Sequence, residues 1–206
     1  HCDVLVVGAG ISGILAAKNA AKNNFKTLLV DEKNELGGST IYENNEFNKI
    51  DNKAPSEWLK KEIEELKNIK NLEIKTRTSV AAYHQYNYLL ARENLTDHLE
   101  AKDKTNKIRQ RLLKIRAKKV ILATGALERP LIFNNNDRPG IMLSSAIKKY
   151  SEFYGVACGS KNVFFTNNDS AYESAISLYN KGINVEAIID IREQSESKIV
   201  KKVKEA

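Results

Sequence analysis

Six consecutive residues, Gly8-Ala9-Gly10-Ile11-Ser12-Gly13, have the types and spacing of a phosphate-binding turn. They follow Asp3-Val4-Leu5-Val6-Val7, an apolar run suited to a strand buried on both faces. In such a turn the first glycine permits the tight bend. The second lets backbone approach a pyrophosphate, and the third lets the next helix pack on the strand. Ile14 to Asn23 is expected to be that helix, its N-terminal amides aimed at phosphate. Lys26 to Val30 reads as the second strand. The Asp31-Glu32 pair at its end offers carboxylates to the hydroxyls of an adenosine ribose. A glycine triplet alone is weak evidence; strand, turn, helix, strand and acid in this order are specific for a dinucleotide. Two more segments are expected at the same ligand. Leu36-Gly37-Gly38-Ser39 can approach closely and carries a hydroxyl and an amide at Ser39, although an ordinary turn has the same composition. Thr124-Gly125 ends another apolar run, Lys119 to Ala123.

Other chemistry is missing from the chain. His84 and His98 have no Glu-x-x-His or cysteine partner that would make a metal site. Cys2 and Cys158 are far apart and form no Cys-x-x-Cys, which excludes the redox disulfide of a thioredoxin or disulfide reductase. Cys2 is expected to be a small buried hydrophobe, and Cys158 incidental to a turn. Neither a Gly-x-Ser-x-Gly elbow nor a Walker sequence occurs. No catalytic residue is therefore assigned. His84, with Tyr83, Tyr86 and Tyr88 around it, is the best candidate for touching a ligand or partner; the simpler alternative is a polar residue at a strand end.

The elements that must position these residues are legible along the chain. Tyr42 to Lys53 is polar and Asn-rich, as in a surface excursion. Ala54-Pro55-Ser56 starts a helix with proline in its first turn. Trp58, Leu59, Ile63, Leu66 and Ile69 recur at helical spacing, which makes Trp58 core rather than a stacking platform. Leu72 to Lys75 reads as a parallel strand. Thr78 to Tyr83, Tyr88 to Glu93 and Arg111 to Ile115 read as an antiparallel meander, with a charged connection over Thr96 to Asn106. Lys119 to Ala123 is expected to be a separate buried strand. This order resembles the FAD/NAD-binding domain of two-dinucleotide flavoproteins such as disulfide reductases, an α/β Rossmann-like fold. Residues 1–130 are expected to form that domain, and 131–206 a partial second unit. There Ser144 or Ser145 caps a helix running to Tyr154 and stopping at Gly155. Lys161 to Thr166, Ser170 to Lys181 and Val185 to Ile191 give a second strand-helix-strand. Its turn, Thr166-Asn167-Asn168-Asp169-Ser170-Ala171, has no glycine at any fingerprint position. Side chains would obstruct a pyrophosphate and Asp169 would repel it, so no second dinucleotide is expected. Asp169-Ser170 is expected to cap its own helix instead.

Composition sets the remaining bounds. The 206 residues, 42% hydrophobic, suffice for one core, or one domain and part of another. The net charge of +7 could attract an anionic partner or nucleic acid. The lysines are scattered, however, and only Arg109, Arg111, Lys114, Arg116, Lys118 and Lys119 cluster. Their alternation with Leu112, Leu113 and Ile115 suits the solvated side of a strand pair. No nucleic-acid-binding motif accompanies them, so no nucleic acid is expected. No apolar run approaches the ~18 residues that cross a bilayer, so no membrane is expected; the cysteine usage fits a reducing cytoplasm. A start at His1 inside a strand, and an end at Lys201-Lys202-Val203-Lys204-Glu205-Ala206, read as a piece of a longer protein.

Several segments together resemble the alpha subunits of bacterial heterotetrameric sarcosine oxidases. They are the first strand and glycine turn, Val30-Asp31-Glu32 with Leu36-Gly37-Gly38-Ser39, Tyr88 with Leu95 to Leu99, and Ile115 to Lys118. Ala123-Thr124-Gly125-Ala126-Leu127-Glu128-Arg129-Pro130, Asn135 to Gly140 and Thr166 to Tyr172 complete the set and are the more specific. The resemblance runs over essentially the whole chain. It implies a fragment, inert alone, of an oxidoreductase that oxidises sarcosine to glycine and passes the methyl carbon to tetrahydrofolate or releases it as formaldehyde. It further implies NAD on this chain, doing no redox work, FAD and FMN on a partner beta subunit, and other subunits of the hetero-oligomer as partners. By position, Ser12 and Gly13 would meet the pyrophosphate, beside Gly8 and Gly10 of the same turn, and Asp31, Glu32 and Lys33 the ribose. Ser39, next to Gly38, would lie beside it and Val80 would offer its backbone to adenine; Thr124 and Gly125 are expected near the nucleotide from their place at the end of a strand. The acidic pair disfavours the 2′-phosphate of NADP. This chain has Ile11-Ser12 where the family commonly has Pro-Ala, and both fit the turn. The alternatives are an FAD-dependent amine or opine oxidoreductase subunit, or a non-catalytic scaffold stabilised by a nucleotide.

Overall fold

The structure is a computed structural model describing residues 1–43, 49–105, 107–193 and 196–205. Residues 44–48 of the expected polar excursion and Asn106 of the charged connection lie outside the described residues. The chain divides into two compact units, one of residues 1–41 and 50–125, the other formed mainly by 126–206.

In the first unit the elements run β1 (Cys2–Val7), α1 (Ile11–Lys22), β2 (Thr27–Val30), α2 (Pro55–Lys67), β3 (Leu72–Lys75), β4 (Thr78–His84), β5 (Tyr88–Asn94), α3 (Ala101–Lys104) and β6 (Gln110–Leu122). Among the described residues six strands form one sheet in the order β3-β2-β1-β6-β5-β4. β1 pairs in parallel with β2 and with β6, β2 in parallel with β3, and β4-β5-β6 is antiparallel. This is the expected α/β fold, a mixed sheet with a parallel core. Central β1 has apolar layers on both sides, which is why its sequence is continuously apolar rather than alternating. Leu5 and Val7 pack with Leu28, Val30, Leu89, Ala91 and Ile115 on one face. Val4 and Val6 pack with Leu29 and Ala17 on the other.

Helix α1 meets α2 through Ile14, Trp58, Leu59 and Leu66. Trp58 is core, as its spacing predicts, and its indole N–H donates to Asp51 at 3.2 Å. Glu62 of α2 is buried, and a buried carboxylate needs a partner. Lys18 of α1 supplies it at 2.6 Å, and also reaches Glu65 at 2.8 Å. Those contacts with Lys18 and Lys22 hold the Glu65 carboxyl down at about 2.

One expectation is corrected. The meander's third strand and the strand before Thr124 are a single strand, β6, of 13 residues. Its first half pairs with β5 and its second with β1, so Arg116-Ala117-Lys118 is a change of partner rather than a break. Nor is its second half buried: Ile121 and Leu122 are exposed.

The second unit contains α4 (Ser144–Tyr154), β7 (Asn162–Thr166), α5 (Ser170–Asn180), β8 (Val185–Asp190) and α6 (Lys198–Glu205). β7 and β8 are parallel, and α5 packs Ala171, Ala175 and Leu178 with Phe164. α4 stops at Gly155, which takes the left-handed conformation at φ +65°, as expected of a C-terminal glycine. Its N-terminus is capped differently from expectation. Leu143 sits at the cap position, and the Glu128 carboxylate accepts hydrogen bonds from the Ser144 and Ser145 amides at 3.1 and 2.7 Å and from the Ser144 hydroxyl at 2.8 Å. An ionised acceptor at the positive end of a helix outcompetes a local hydroxyl. Burial opposes the charge on Glu128, yet its hydrogen bonds from Ser145 and Ser144 keep its carboxyl below the usual range.

Ile14→Ala is expected to destabilise the first unit by about 2–5 kcal/mol, because it empties the junction of α1 and α2. Urea unfolding followed by tryptophan fluorescence measures this, Trp58 being the chain's single tryptophan.

Candidate functional site

The turn after β1 is built from contacts that leave no room for side chains. Gly8 has φ +97°, and a Cβ there would fall 2.3 Å from the Ala123 carbonyl oxygen. A Cβ on Gly13 would fall 1.8 Å from the Gly8 carbonyl oxygen. These two glycines are therefore required by the protein's own packing. Gly10 differs. It has φ −72°, accessible to any residue, and a Cβ there would meet nothing within 4 Å. No packing of the described residues demands glycine at this position, and the space beside it leaves its backbone open to a ligand. Gly10 is also the cap residue of α1. The amides of Ile11, Ser12 and Gly13 have no acceptor among the described residues, and the first turn carries no acidic residue. A helix end of this kind is open to an anion such as a pyrophosphate.

Three segments converge on this turn. Asp31, at the end of β2, accepts the Ala9 amide at 2.5 Å and the Lys33 amide at 2.7 Å, one carboxylate oxygen for each. Each oxygen retains a lone pair for a further donor such as a ribose hydroxyl. Glu32 is exposed and pairs with Lys33 at 2.9 Å. The Gly37 amide donates to the Ala9 carbonyl at 2.7 Å, and a Cβ on Gly38 would lie 3.1 Å from the Gly10 Cα. The Ala123 amide donates to the Val7 carbonyl at 2.8 Å, bringing Thr124 and Gly125 to the end of β1. β4 is anchored here as well, since Thr78 donates to the Asp31 carbonyl and Arg77 to that of Lys33, both at 2.7 Å. Val80 follows on β4 at a register slip between Val80 and Ala82.

Gly8, Gly10, Gly13, Asp31 and Gly38 thus form one cluster. Ser12, Ser39, Thr124 and Gly125 are exposed around it, and Val80 is linked to it only through β4. Sequence reasoning placed Gly37 in a loop near the ligand but not against α2, where a Cβ would fall 2.4 Å from the Leu59 side chain, and it had no role for the Ala9 amide that fixes Asp31. The doublet of glycines was the visible signal for the first; nothing in the sequence marked the second. Of the other candidates, Cys2 is buried, which pushes its thiol pKa up, and Cys158 is partly exposed; both are free. Among the described residues no group of three or more His, Cys, Asp or Glu is placed to hold a metal, and no helix is long and apolar enough to cross a membrane.

In the second unit the corresponding position is occupied by an ion-pair cluster. Arg192, just beyond β8, contacts Asp190 at 2.6 Å and Asp169 of the turn after β7 at 2.8 Å. Tyr172 donates to Asp190 at 3.1 Å. The Arg192 guanidinium holds the Asp190 carboxyl far below its ordinary value. The expected cap is corrected accordingly: the Asp169 side chain makes no cap hydrogen bond, its carboxylate being turned to Arg192. Asn168 accepts the Ser170 amide at 3.0 Å instead.

Residues 2–185 match the family described as pyridine nucleotide-disulphide oxidoreductase. The chain is 42% identical to sarcosine oxidase subunit alpha of Corynebacterium sp. (strain P-1) over 192 residues, and 38% identical to that of Rhizobium meliloti (strain 1021). Each match covers 93% of this chain, and 20% and 19% of the respective relative, so the chain spans about a fifth of their length. Among solved structures, L-proline dehydrogenase from P. horikoshii is similar at TM-score 0.74 and 26% identity, covering 96% of this chain and 37% of that one. Lactococcus lactis thioredoxin reductase shares the fold at TM-score 0.64 and 20% identity, covering 98% of this chain and 60% of that one.

The glycines are expected to separate by role. Gly10→Ala should change stability by no more than about 0.5 kcal/mol while abolishing dinucleotide retention, whereas Gly13→Ala should cost about 1–3 kcal/mol or more through overpacking. Urea unfolding and the dinucleotide content of desalted protein distinguish the two. For Arg192→Gln, the loss of stability is expected at pH 7 and should shrink below about pH 4. The depressed Asp190 pKa contributes its full stability above the unfolded value of about 3.9, and that contribution is lost progressively as pH falls from there through the lower folded value. Thermal melts of the two proteins across pH measure the difference.

Proposed function

The chain belongs to the pyridine nucleotide-disulphide oxidoreductase family, and from that premise we infer that it is the dinucleotide-holding part of a sarcosine oxidase alpha subunit. The observation that carries this is Gly10. Its backbone conformation and surroundings impose no glycine, yet it sits between the open amides of α1 and the Gly37-Gly38 loop. The identity to alpha subunits over nearly the whole chain supports the choice of enzyme.

The proposed ligand is NAD. Ile11, Ser12 and Gly13 offer amides to its pyrophosphate, and Gly8 and Gly10 let the backbone approach. Asp31, with Glu32 and Lys33 beside it, takes the adenosine ribose, and these carboxylates disfavour a 2′-phosphate. Val80 offers backbone to adenine. Gly38, Ser39, Thr124 and Gly125 line the remainder. A nicotinamide ring is a hydride acceptor or donor when bound, but this chain supplies no disulfide pair for such a relay, Cys2 and Cys158 being free. Its residues, at the ends of β1, β2 and β6, bind and orient the dinucleotide. The Arg192 cluster supports a second unit that keeps the strand-helix-strand form without a dinucleotide of its own. In the assembled enzyme, sarcosine is oxidised to glycine on a partner beta subunit that carries FAD and FMN, and the one-carbon unit goes to tetrahydrofolate, bound further toward the C-terminus of the alpha subunit, or leaves as formaldehyde.

One observation favours a second reading, an FAD-holding subunit of another amine or opine oxidoreductase: the similarity to L-proline dehydrogenase at TM-score 0.74.

Heat release and mass spectrometry of the ligand on the purified full-length chain are expected to yield NAD, with no flavin band in the visible spectrum before release. Recovery of stoichiometric FAD instead would establish the second reading.

A further inference from the structure

The solvent side of the β4-β5-β6 meander is a regular grid. Facing positions place His84, Tyr88 and Arg116 in one row across the strands, Ala82, Leu90 and Lys114 in the next, and Ser79, Arg92 and Leu112 in the third. Leu89, Ala91, Ile115 and Ala117, which alternate with them on β5 and β6, are buried inside. Strand spacing and rise make the grid about 10 by 14 Å.

Every charged residue on it is basic. Three other cations of the same basic run are already matched: Arg109 with Asp97 at 2.6 Å, Arg111 with Glu93 at 3.4 Å and Lys118 with Asp3 at 2.8 Å. Arg92, Lys114 and Arg116 have no carboxylate partner among the described residues. Arg116 lies over the Tyr88 ring at 5.3 Å, and the His84 ring is 5.9 Å from that of Tyr88. Leu112, one row from Lys114, is 62% exposed. A solvated face ordinarily mixes both signs of charge. Unmatched arginines grouped with a tyrosine and an exposed leucine are instead the composition of an interface centre.

We propose that this grid docks an acidic, partly apolar surface of a partner subunit, a role that rests on the subunit assignment above. Carboxylates facing Arg92 and Arg116 receive two-pronged guanidinium contacts, Lys114 serves as a point charge between them, and Leu90 and Leu112 take an apolar side chain. Charge complementarity of this kind sets register and on-rate and is weakened by salt. A nucleic acid fits less well. Stacking of bases needs open aromatic faces, and the Tyr88 ring is covered by Arg116. Three cations also neutralise few phosphates.

The test uses the full-length chain co-expressed with the other subunits of its oxidase. Arg92→Glu with Lys114→Glu and Arg116→Glu is expected to weaken association about tenfold or more and to remove most of its salt dependence, with dinucleotide content unchanged. The milder pair Lys114→Gln and Arg116→Gln gives the same direction if the triple variant fails to fold. A photo-cross-linking residue at position 112 is expected to give adducts with an Asp/Glu-rich segment of a partner subunit. Unchanged association of a folded variant overturns the proposal, as do adducts confined to the chain itself or formed with nucleic acid. Dinucleotide retained while association is insensitive to these residues refutes the docking face alone. Charge-dependent association in a chain that holds no dinucleotide refutes the ligand assignment alone.

Discussion

Backbone-to-backbone contact at the end of β1 sets everything around it. Gly8 lies against Ala123, and Gly13 against Gly8, so closely that a Cβ would fall 2.3 and 1.8 Å from the facing carbonyl oxygens. That contact fixes where α1 starts and how closely it runs along the sheet. It thereby places Ile14 against Trp58 and Leu66, and Lys18 where the buried Glu62 needs a cation. The same contact ties the end of β6 to the turn. The ligand-facing amides and the hydrophobic core are thus consequences of a single steric condition rather than two separately stabilised features.

Local chemistry explains which parts were legible in the sequence. The β1-α1-β2 unit could be read because each strand is apolar throughout, each glycine has a backbone role and the acid falls at a strand end. α2 was legible from Pro55 and its apolar stripe. Interactions that skip along the chain were not. β6 was divided in two because its charged middle resembles a loop, whereas those residues lie where pairing passes from β5 to β1. The caps of α4 and α5 were assigned to the nearest polar side chain, while the structure recruits Glu128 from 16 residues upstream and frees Asp169 for Arg192 from 23 downstream. Propensity is local; competition for a carboxylate is not.

The two strand-helix-strand units show two ways of treating the same strand ends. The first keeps its helix amides open and has Asp31 hold the turn in shape. The second fills the corresponding position with a guanidinium between two carboxylates. Hydrogen bonding satisfies the polar groups of this cluster, while two carboxylates against one guanidinium leave it net negative, which disfavours a pyrophosphate.

Continuity of β6 has a mechanical side. An uninterrupted strand of 13 residues is about 43 Å long and resists stretching, since its backbone is already extended. Arg116 lies near its middle on the solvent face, and Thr124 follows its far end. The chain therefore carries a stiff strut, not a flexible tether, from the charged exterior to the glycine turn. A load applied along its axis at the meander reaches the Ala123–Gly8 contact with no loop in between to absorb it.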